Sequence, residues 1–184
     1  MEEKPQTVLL SYYGISPWEI EVIYNLFNGK FMILQEETEQ NKESFVSALA
    51  ITIPIPFSEE FFKWFEFKEW EKVKSIIKEM KRRRGKGNAI MAELLFTGNP
   101  NVRFVIDLNE NHNFNSAVEK IDFVVELLPY HLNEDNIPND LSEVLYKYDI
   151  ESGKWKLNHV WTGLKSSVGR KKFILTKKGW EIIT

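Results

Sequence analysis

The sequence feature that most constrains the fold is the stretch over residues 58–84, which contains neither glycine nor proline. Ser58 is a favourable N-cap residue, and Glu59 and Glu60 place negative charge in the first turn, where it interacts favourably with the helix dipole. Basic residues crowd the last turn before Gly85 ends the helix. The stretch therefore predicts one long helix over about 58–84, which must pack on another layer.

Apolar residues divide this helix into two parts. Trp70, Val73 and Ile77 share one stripe at about 100° per residue, which is typical of a helix that lies on a core. The aromatic residues of the first part point nearly all round the helix instead. Either the helix breaks near 66–68, or its first part is buried on two sides, by this chain, by a ligand or by a second subunit. Burial in a core of this chain is the interpretation that we favour. Because aromatic residues are also common at interfaces, the alternative is that a protein partner or a second copy contacts four of them: Phe57, Phe61, Trp64 and Phe67.

Composition limits the class of protein. With 184 residues, 43% of them apolar, the chain is long enough for a single globular domain over residues 1–184. The longest apolar runs have the length of strands and the N-terminal residues are acidic, so we predict neither a membrane partner nor a signal peptide. The absence of cysteine removes disulfides and thiolate chemistry. We therefore predict a cytoplasmic protein, and the many lysines and glutamates are compatible with a thermophilic source.

Basic residues are concentrated in two segments, although the net charge of −3 argues against general nucleic-acid binding. Residues 71–88 carry eight bases and two acids, and residues 154–184 carry eight bases and one acid. Capping of the long helix uses about two positive charges. The surplus predicts a surface for the phosphates of nucleic acid or of a nucleotide, if segments 81–86 and 165–178 meet in space. The residues of this predicted surface are Lys81, Arg82, Arg83, Arg84, Lys86, Arg170, Lys171 and Lys172.

Strand patterns dominate the remainder of the chain. Ser16 begins a capping box that predicts a short N-terminal helix over about 16–28. We predict a polar loop at 109–116 and a strand at 121–127. Apolar segments around glycine-containing turns predict three antiparallel hairpins, at 89–108, 144–161 and 173–183. The fold class that follows is α+β, with a twisted, mostly antiparallel sheet and the long helix packed on one of its faces.

Catalysis finds little support in the sequence. The outward face of the middle strands is expected to carry charged residues, and clustered carboxylates can hold Mg²⁺ or Mn²⁺ for phosphodiester chemistry. Strand alternation alone predicts the same residues as a solvated sheet face, and we favour that interpretation. The three histidines show no metal-ligand spacing, so we predict no catalytic residue, no metal site and no cofactor. The charged residues on this face are Glu93, Arg103, Asp107, Asp122 and Glu126.

Two short stretches resemble known families. Residues 7–27 (TVLLSYYGISPWEIEVIYNLF) resemble the opening strand–loop–helix of CRISPR-associated Rossmann-fold domains, a resemblance that implies a cyclic-oligonucleotide sensor. Residues 171–183 (KKFILTKKGWEII) resemble the end of a winged-helix domain, where a wing strand enters a helix. The antiparallel pattern of the middle of the chain does not fit the first family, and the helix-turn-helix of the second is missing. Neither family is assigned.

Three functional hypotheses follow from these patterns. The first is a non-catalytic binding protein that uses the aromatic helix surface for self-association or for a protein partner. The second is a nucleic-acid or nucleotide-binding, sensor-like protein that uses the two basic segments. The third is a metal-dependent phosphoesterase on the acidic sheet face.

Overall fold

The structure, a computed structural model, describes residues 6–40, 44–133, 135, 137–163 and 170–183. These residues form one sheet of nine strands, in the order β2-β1-β3-β4-β5-β6-β7-β8-β9. The strands are β1 (Thr7–Tyr13), β2 (Met32–Glu37), β3 (Ser47–Ile53), β4 (Ile90–Phe96), β5 (Asn101–Ile106), β6 (Leu141–Asp149), β7 (Lys154–Thr162), β8 (Lys171–Thr176) and β9 (Gly179–Ile183). The helices are α1 (Pro17–Phe27), α2 (Glu59–Phe65), α3 (Phe67–Arg84), α4 (Asn111–Glu119) and α5 (Val124–Leu132).

The sheet is mostly antiparallel, as the sequence predicted. Five of the eight neighbouring pairs are antiparallel, and β1–β2, β3–β4 and β5–β6 are parallel. The three predicted hairpins are the pairs β4–β5, β6–β7 and β8–β9. Each parallel pair is joined by a helical crossover, so the chain contains more βαβ units than its sequence pattern indicated. The α+β class is confirmed.

The helices pack on one face of the sheet, which we call the covered face. Inward-facing residues of β1, β3, β4, β5 and β6 join residues of all five helices in the hydrophobic core. The capping box of α1 forms as predicted, because Ser16 Oγ accepts from the Glu19 amide at 3.2 Å and the Glu19 carboxylate accepts from the Ser16 amide at 3.1 Å. No helix among the described residues combines the length and the apolar character that crossing a membrane requires.

The long helix is broken, so the prediction of one continuous helix over about 58–84 is wrong. Glu66 has a φ of 77°, a conformation that side-chain-bearing residues adopt rarely, and it ends α2 and precedes α3. The break redirects the chain so that both helices present aromatic rings to the same core. Trp70 of α3 contacts the rings of three residues of α2, namely Phe61, Phe62 and Phe65. One of the two alternatives left open by the sequence, a break near residue 66, is therefore the correct one.

Two further predictions are wrong for the connection between β5 and β6. The predicted polar loop at 109–116 is mostly α4, which packs Phe114, Ala117 and Val118 into the core. The predicted strand at 121–127 is a turn followed by α5. Residues 171–183 form the β8–β9 hairpin, and the helix that a winged-helix domain has at this place does not form.

The opposite face of the sheet, which we call the uncovered face, has no helix or strand of the described residues above it. The pairing registers place alternate residues of each strand on this face. Its side chains include Leu9, Ser11, Ala48, Ala50, Glu93, Arg103, Val105, Glu143, Leu145, Lys147, His159, Trp161 and Lys172. An antiparallel sheet commonly leaves one face to solvent, but this one carries buried and half-buried charges.

Candidate functional site

The four aromatic residues predicted to contact a partner lie in two different environments. Phe57 and Phe61 are buried, at 5% and 1% exposure, and their rings pack against Phe96 in the core. Trp64 and Phe67 are about half exposed. Only the latter two are therefore accessible to a partner.

Trp64 and Phe67 belong to separate parts of the surface. The Trp64 ring packs edge-on against Phe31 at 5.3 Å, and the Lys30 ammonium lies over it at 5.1 Å. Phe67 stacks on the core residue Phe62 at 5.7 Å and lines a cavity of about 240 Å³ together with Phe123. Phe67 is thus continuous with an apolar surface that the sequence did not indicate.

That surface is formed mainly by the exposed side of α5. Phe123, Leu127 and Tyr130 lie at positions i, i+4 and i+7, which places them on one side of the helix, and they are between 45% and 75% exposed. The opposite side of α5 packs Val124 into the core, with Leu128 and Leu132 against it. We name Phe67, Phe123, Leu127 and Tyr130 the α5 patch.

The α5 patch was not predicted, because the segment that carries it also shows the alternating apolar pattern of a strand. Ile121, Phe123, Val125 and Leu127 share one face of a strand, and that period of two predicted a strand. The signal for a helix was present in the longer window, where Val124 and Leu128 recur at i and i+4. Pro129 inside the segment weakened it, because proline removes a helical hydrogen bond.

The basic run 81–86 is largely used within the chain. Arg82 forms an exposed pair with Glu79, and the Arg83 guanidinium lies over the Trp18 ring at 4.9 Å. Lys81 is fully buried, where its Nζ donates to the Gly87 carbonyl oxygen at 3.0 Å, and burial lowers its pKa. Lys86 is exposed and lines a cavity of about 470 Å³. Most of the charge surplus of this run is therefore taken up by internal contacts.

Arg84 ties the end of α3 to the start of α1. Its Nη1 and Nη2 donate to the two carboxylate oxygens of Glu19 at 2.7 and 2.9 Å. Nε donates to Ser47 Oγ and Nη2 to the Gly14 carbonyl oxygen, both at 3.1 Å. The hydrogen bond from Arg84 lowers the pKa of Glu19 to about 2. Nη1 also donates to the Met80 carbonyl oxygen at 3.1 Å, so all five N–H groups of the guanidinium are used and its role is structural.

Arg84 and Arg170, which belong to the two basic segments, do not meet in space. Arg84 lies against the end of β1 and the start of β3, whereas Arg170 lies against Glu143 near the start of β6. Because β3 and β6 run in opposite directions, the start of β3 and the start of β6 lie at opposite ends of the strands. The strands are also about 14 Å apart across the sheet. Residues 165–169 of the second segment lie outside the described residues.

The uncovered face carries a chain of ion pairs across its middle strands. Arg103 donates to Glu93 at 3.1 Å and to Glu143 at 3.3 Å. Arg170 Nη2 lies 3.8 Å from the same Glu143, and Lys147 donates to Asp107 at 2.9 Å. Acids and bases therefore alternate over this face instead of forming a carboxylate cluster.

The geometry does not assemble the five charged residues of the third hypothesis. Glu93, Arg103 and Asp107 occupy β5 and its neighbourhood, but Asp122 and Glu126 lie on the side of the helices, where Asp122 pairs with the buried Lys74 at 3.1 Å. In the part of the chain that the structure describes, no three histidine, aspartate or glutamate residues gather in a way that could hold a metal ion.

Comparisons of the chain with protein families, with curated proteins and with solved structures find no match. Function is therefore argued from two features of the surface alone, the α5 patch on the helical side and the charged, aromatic region of the uncovered face.

Proposed function

We propose that this chain is a non-catalytic binding protein that receives an amphipathic helix of a protein partner on the α5 patch. The observation that carries the proposal is the stripe of Phe123, Leu127 and Tyr130 on α5, exposed beside the half-exposed ring of Phe67. Spacing of anchors at i, i+4 and i+7 is the spacing by which helices pack on one another. This surface replaces Phe57, Phe61 and Trp64 as the contact surface of the first hypothesis.

The size of the patch favours a helix over a globular partner. Three aromatic rings and one leucine, between 45% and 75% exposed, present roughly 400–500 Å² of apolar surface, which is as much as the largest patch on an ordinary monomer. A stable globular interface covers about 800 Å² on each partner. A single helix covers the smaller area, so the α5 patch fits a helix better than a second folded domain.

Charge at the rim supports a basic partner. Glu126 adjoins the patch and forms no ion pair among the described residues, and Glu59, which pairs with Lys63 at 3.2 Å in an exposed contact, lines the same cavity as Phe67 and Phe123. A symmetric dimer would place these carboxylates near their own copies, which costs free energy. A partner helix with lysine or arginine beside its apolar anchors would complement them.

Binding to a designed helical peptide tests the proposal. The probe is a fluorescein-labelled peptide of about 18 residues, with leucines on one side and lysines on the other. We expect fluorescence anisotropy to show binding to the native protein, and we expect Leu127→Ser with Tyr130→Ser to weaken it by more than about tenfold, because central apolar anchors dominate such interfaces.

Ile150→Ser is the matched control, because Ile150 is a similarly exposed apolar residue in the β6–β7 turn. This control should leave binding unchanged. Equal loss in both variants, or no binding by the native protein, would overturn the proposal. A dimer in light scattering that dissociates on Leu127→Ser would identify a second copy as the occupant and would also overturn it.

A further inference from the structure

Two cations lie close to the ring of Trp161 on the uncovered face. The Arg170 guanidinium is 5.4 Å from the centre of its ring and the Lys172 ammonium is 5.3 Å from it. His159, two residues earlier on the same strand and face, has its ring 6.2 Å away. All four side chains are half-buried, so each remains accessible from the uncovered face.

The guanidinium of Arg170 lies beside Trp161, but its hydrogen-bond donors are not all used among the described residues. Its closest carboxylate oxygen is that of Glu143 at 3.8 Å, which is too long for a hydrogen bond. Its Nε has no hydrogen-bond partner among the described residues, but it is buried and out of reach of a ligand. Arg84, by contrast, uses all its nitrogens. The donors of Arg170 that an added acceptor could engage are therefore those of Nη1 and Nη2, which form no hydrogen bond among the described residues.

The neighbourhood of Trp161 is locally positive. Lys172 pairs with no carboxylate among the described residues, and Glu143 is already shared between Arg103 and Arg170. Burial and the charges of Lys172 and Lys147 lower the pKa of His159, which is a sign of the same local field.

We infer that Trp161, Arg170 and Lys172 form a site for an aromatic base that carries a phosphate, as in a nucleotide or a single-stranded nucleic acid. Trp161 would stack on the base, and Arg170 and Lys172 would bind the phosphate. An uncovered sheet face with an aromatic platform is a surface on which single strands are bound. The site is on the opposite side of the sheet from the α5 patch, so it does not depend on the proposed partner helix.

Two probes distinguish a nucleotide from a single-stranded nucleic acid as the ligand of this site. Adenosine monophosphate is titrated by isothermal calorimetry, and a fluorescein-labelled oligouridine of about ten nucleotides is titrated by anisotropy, at about 50 mM salt. Binding of the mononucleotide identifies a nucleotide site, whereas binding of the oligomer alone identifies a single-strand site. If neither probe binds the native protein, the inference is wrong.

The neighbouring lysines provide a matched pair of variants. Lys172 points to the uncovered face, and Lys171 points to the covered side of the same strand. Lys172→Glu should weaken binding by more than about tenfold and Lys171→Glu by less than about threefold. Trp161→Leu should weaken binding about as much as Lys172→Glu, and Trp161→Phe should retain most of it, because phenylalanine keeps a stacking face.

Melting temperatures of all four variants should stay within about 8 °C of the native protein, because each replaced side chain is at least partly exposed. Equal losses in Lys171→Glu and Lys172→Glu would show attraction to net charge alone and would overturn the site. Unchanged binding by Trp161→Leu would overturn it as well.

Discussion

The buried carboxylates among the described residues are Glu19 and Glu143, and they lie on opposite sides of the sheet. Glu19 accepts two bonds from Arg84 at 2.7 and 2.9 Å beneath the helical layer. Glu143 is held at 3.3 Å by Arg103 and at 3.8 Å by Arg170, on a face that nothing described covers. Burial of a charge pair therefore does not by itself indicate function. The number of donors left unused by the arginine separates a structural link from an available site.

Removal of Arg84 should lower the free energy of unfolding more than removal of Arg103 or Arg170. Arg84→Met leaves Glu19 buried without its partner, and we expect a loss of about 3–5 kcal/mol in the free energy of unfolding, measured by urea denaturation at neutral pH. Arg82→Met is the control, since Arg82 forms only an exposed pair with Glu79 and its loss should leave the free energy of unfolding nearly unchanged.

The pH dependence of the same pair gives an independent measurement. Because the folded pKa of Glu19 is about 2, below its ordinary value of 4.5, the unfolded chain binds the proton more readily. The stability that the pair contributes is present above pH 4.5 and is lost as the pH falls from 4.5 towards 2. This acid-dependent loss should be smaller in Arg84→Met. Equal stability of native protein and variant at neutral pH would contradict the structural role of Arg84.

Removal of Arg103 should have an intermediate effect. Arg103→Met takes the closest partner from both Glu93 and Glu143, and we expect a loss of about 2 kcal/mol, because Glu143 is buried whereas Glu93 and Arg103 are about one-fifth exposed. Glu143→Gln in the Arg103→Met background should restore part of the loss. A loss of stability as large as that caused by Arg84→Met would show that Glu143 is shielded from water as fully as Glu19, and would contradict this expectation.

Removal of Arg170 should have the smallest effect on stability. Its side chain forms no hydrogen bond among the described residues and has one buried donor without a partner, so Arg170→Met should change the free energy of unfolding by less than about 1 kcal/mol. The same variant should weaken oligouridine binding. A loss of stability as large as that of Arg103→Met would make Arg170 a structural residue and end the contrast with Arg84.

Local signals in the sequence predicted much of the fold correctly. Ser16 and Glu19 are spaced for a capping box and form one, so the start of α1 was predictable within a residue. The strands of the three hairpins carry their apolar residues at a period of two and flank glycine-containing turns, and all three formed. These features depend on residues that are close in the chain.

The missed features depend on tertiary packing. Glu66 adopts a φ of 77° with no glycine to mark it, because the break is imposed by the packing of Trp70 on the aromatic residues of α2. The α5 patch depends on which side of a short helix meets the core, and its residues fit a strand equally well. The partner of Arg84 is also remote in sequence, since Glu19 lies 65 residues away.

The strand order has a consequence for how the chain assembles. From β4 onward each strand lies beside its predecessor in the chain, whereas β1 is inserted between β2 and β3. The β6–β9 ribbon is built from neighbours in sequence, whereas the β1–β3 pairing closes a loop that contains all of α1 and β2. Because long loops close slowly, we expect the ribbon to form early in folding and the pairings β1–β3, β3–β4 and β5–β6, each of which closes a loop that contains one or two helices, to form later.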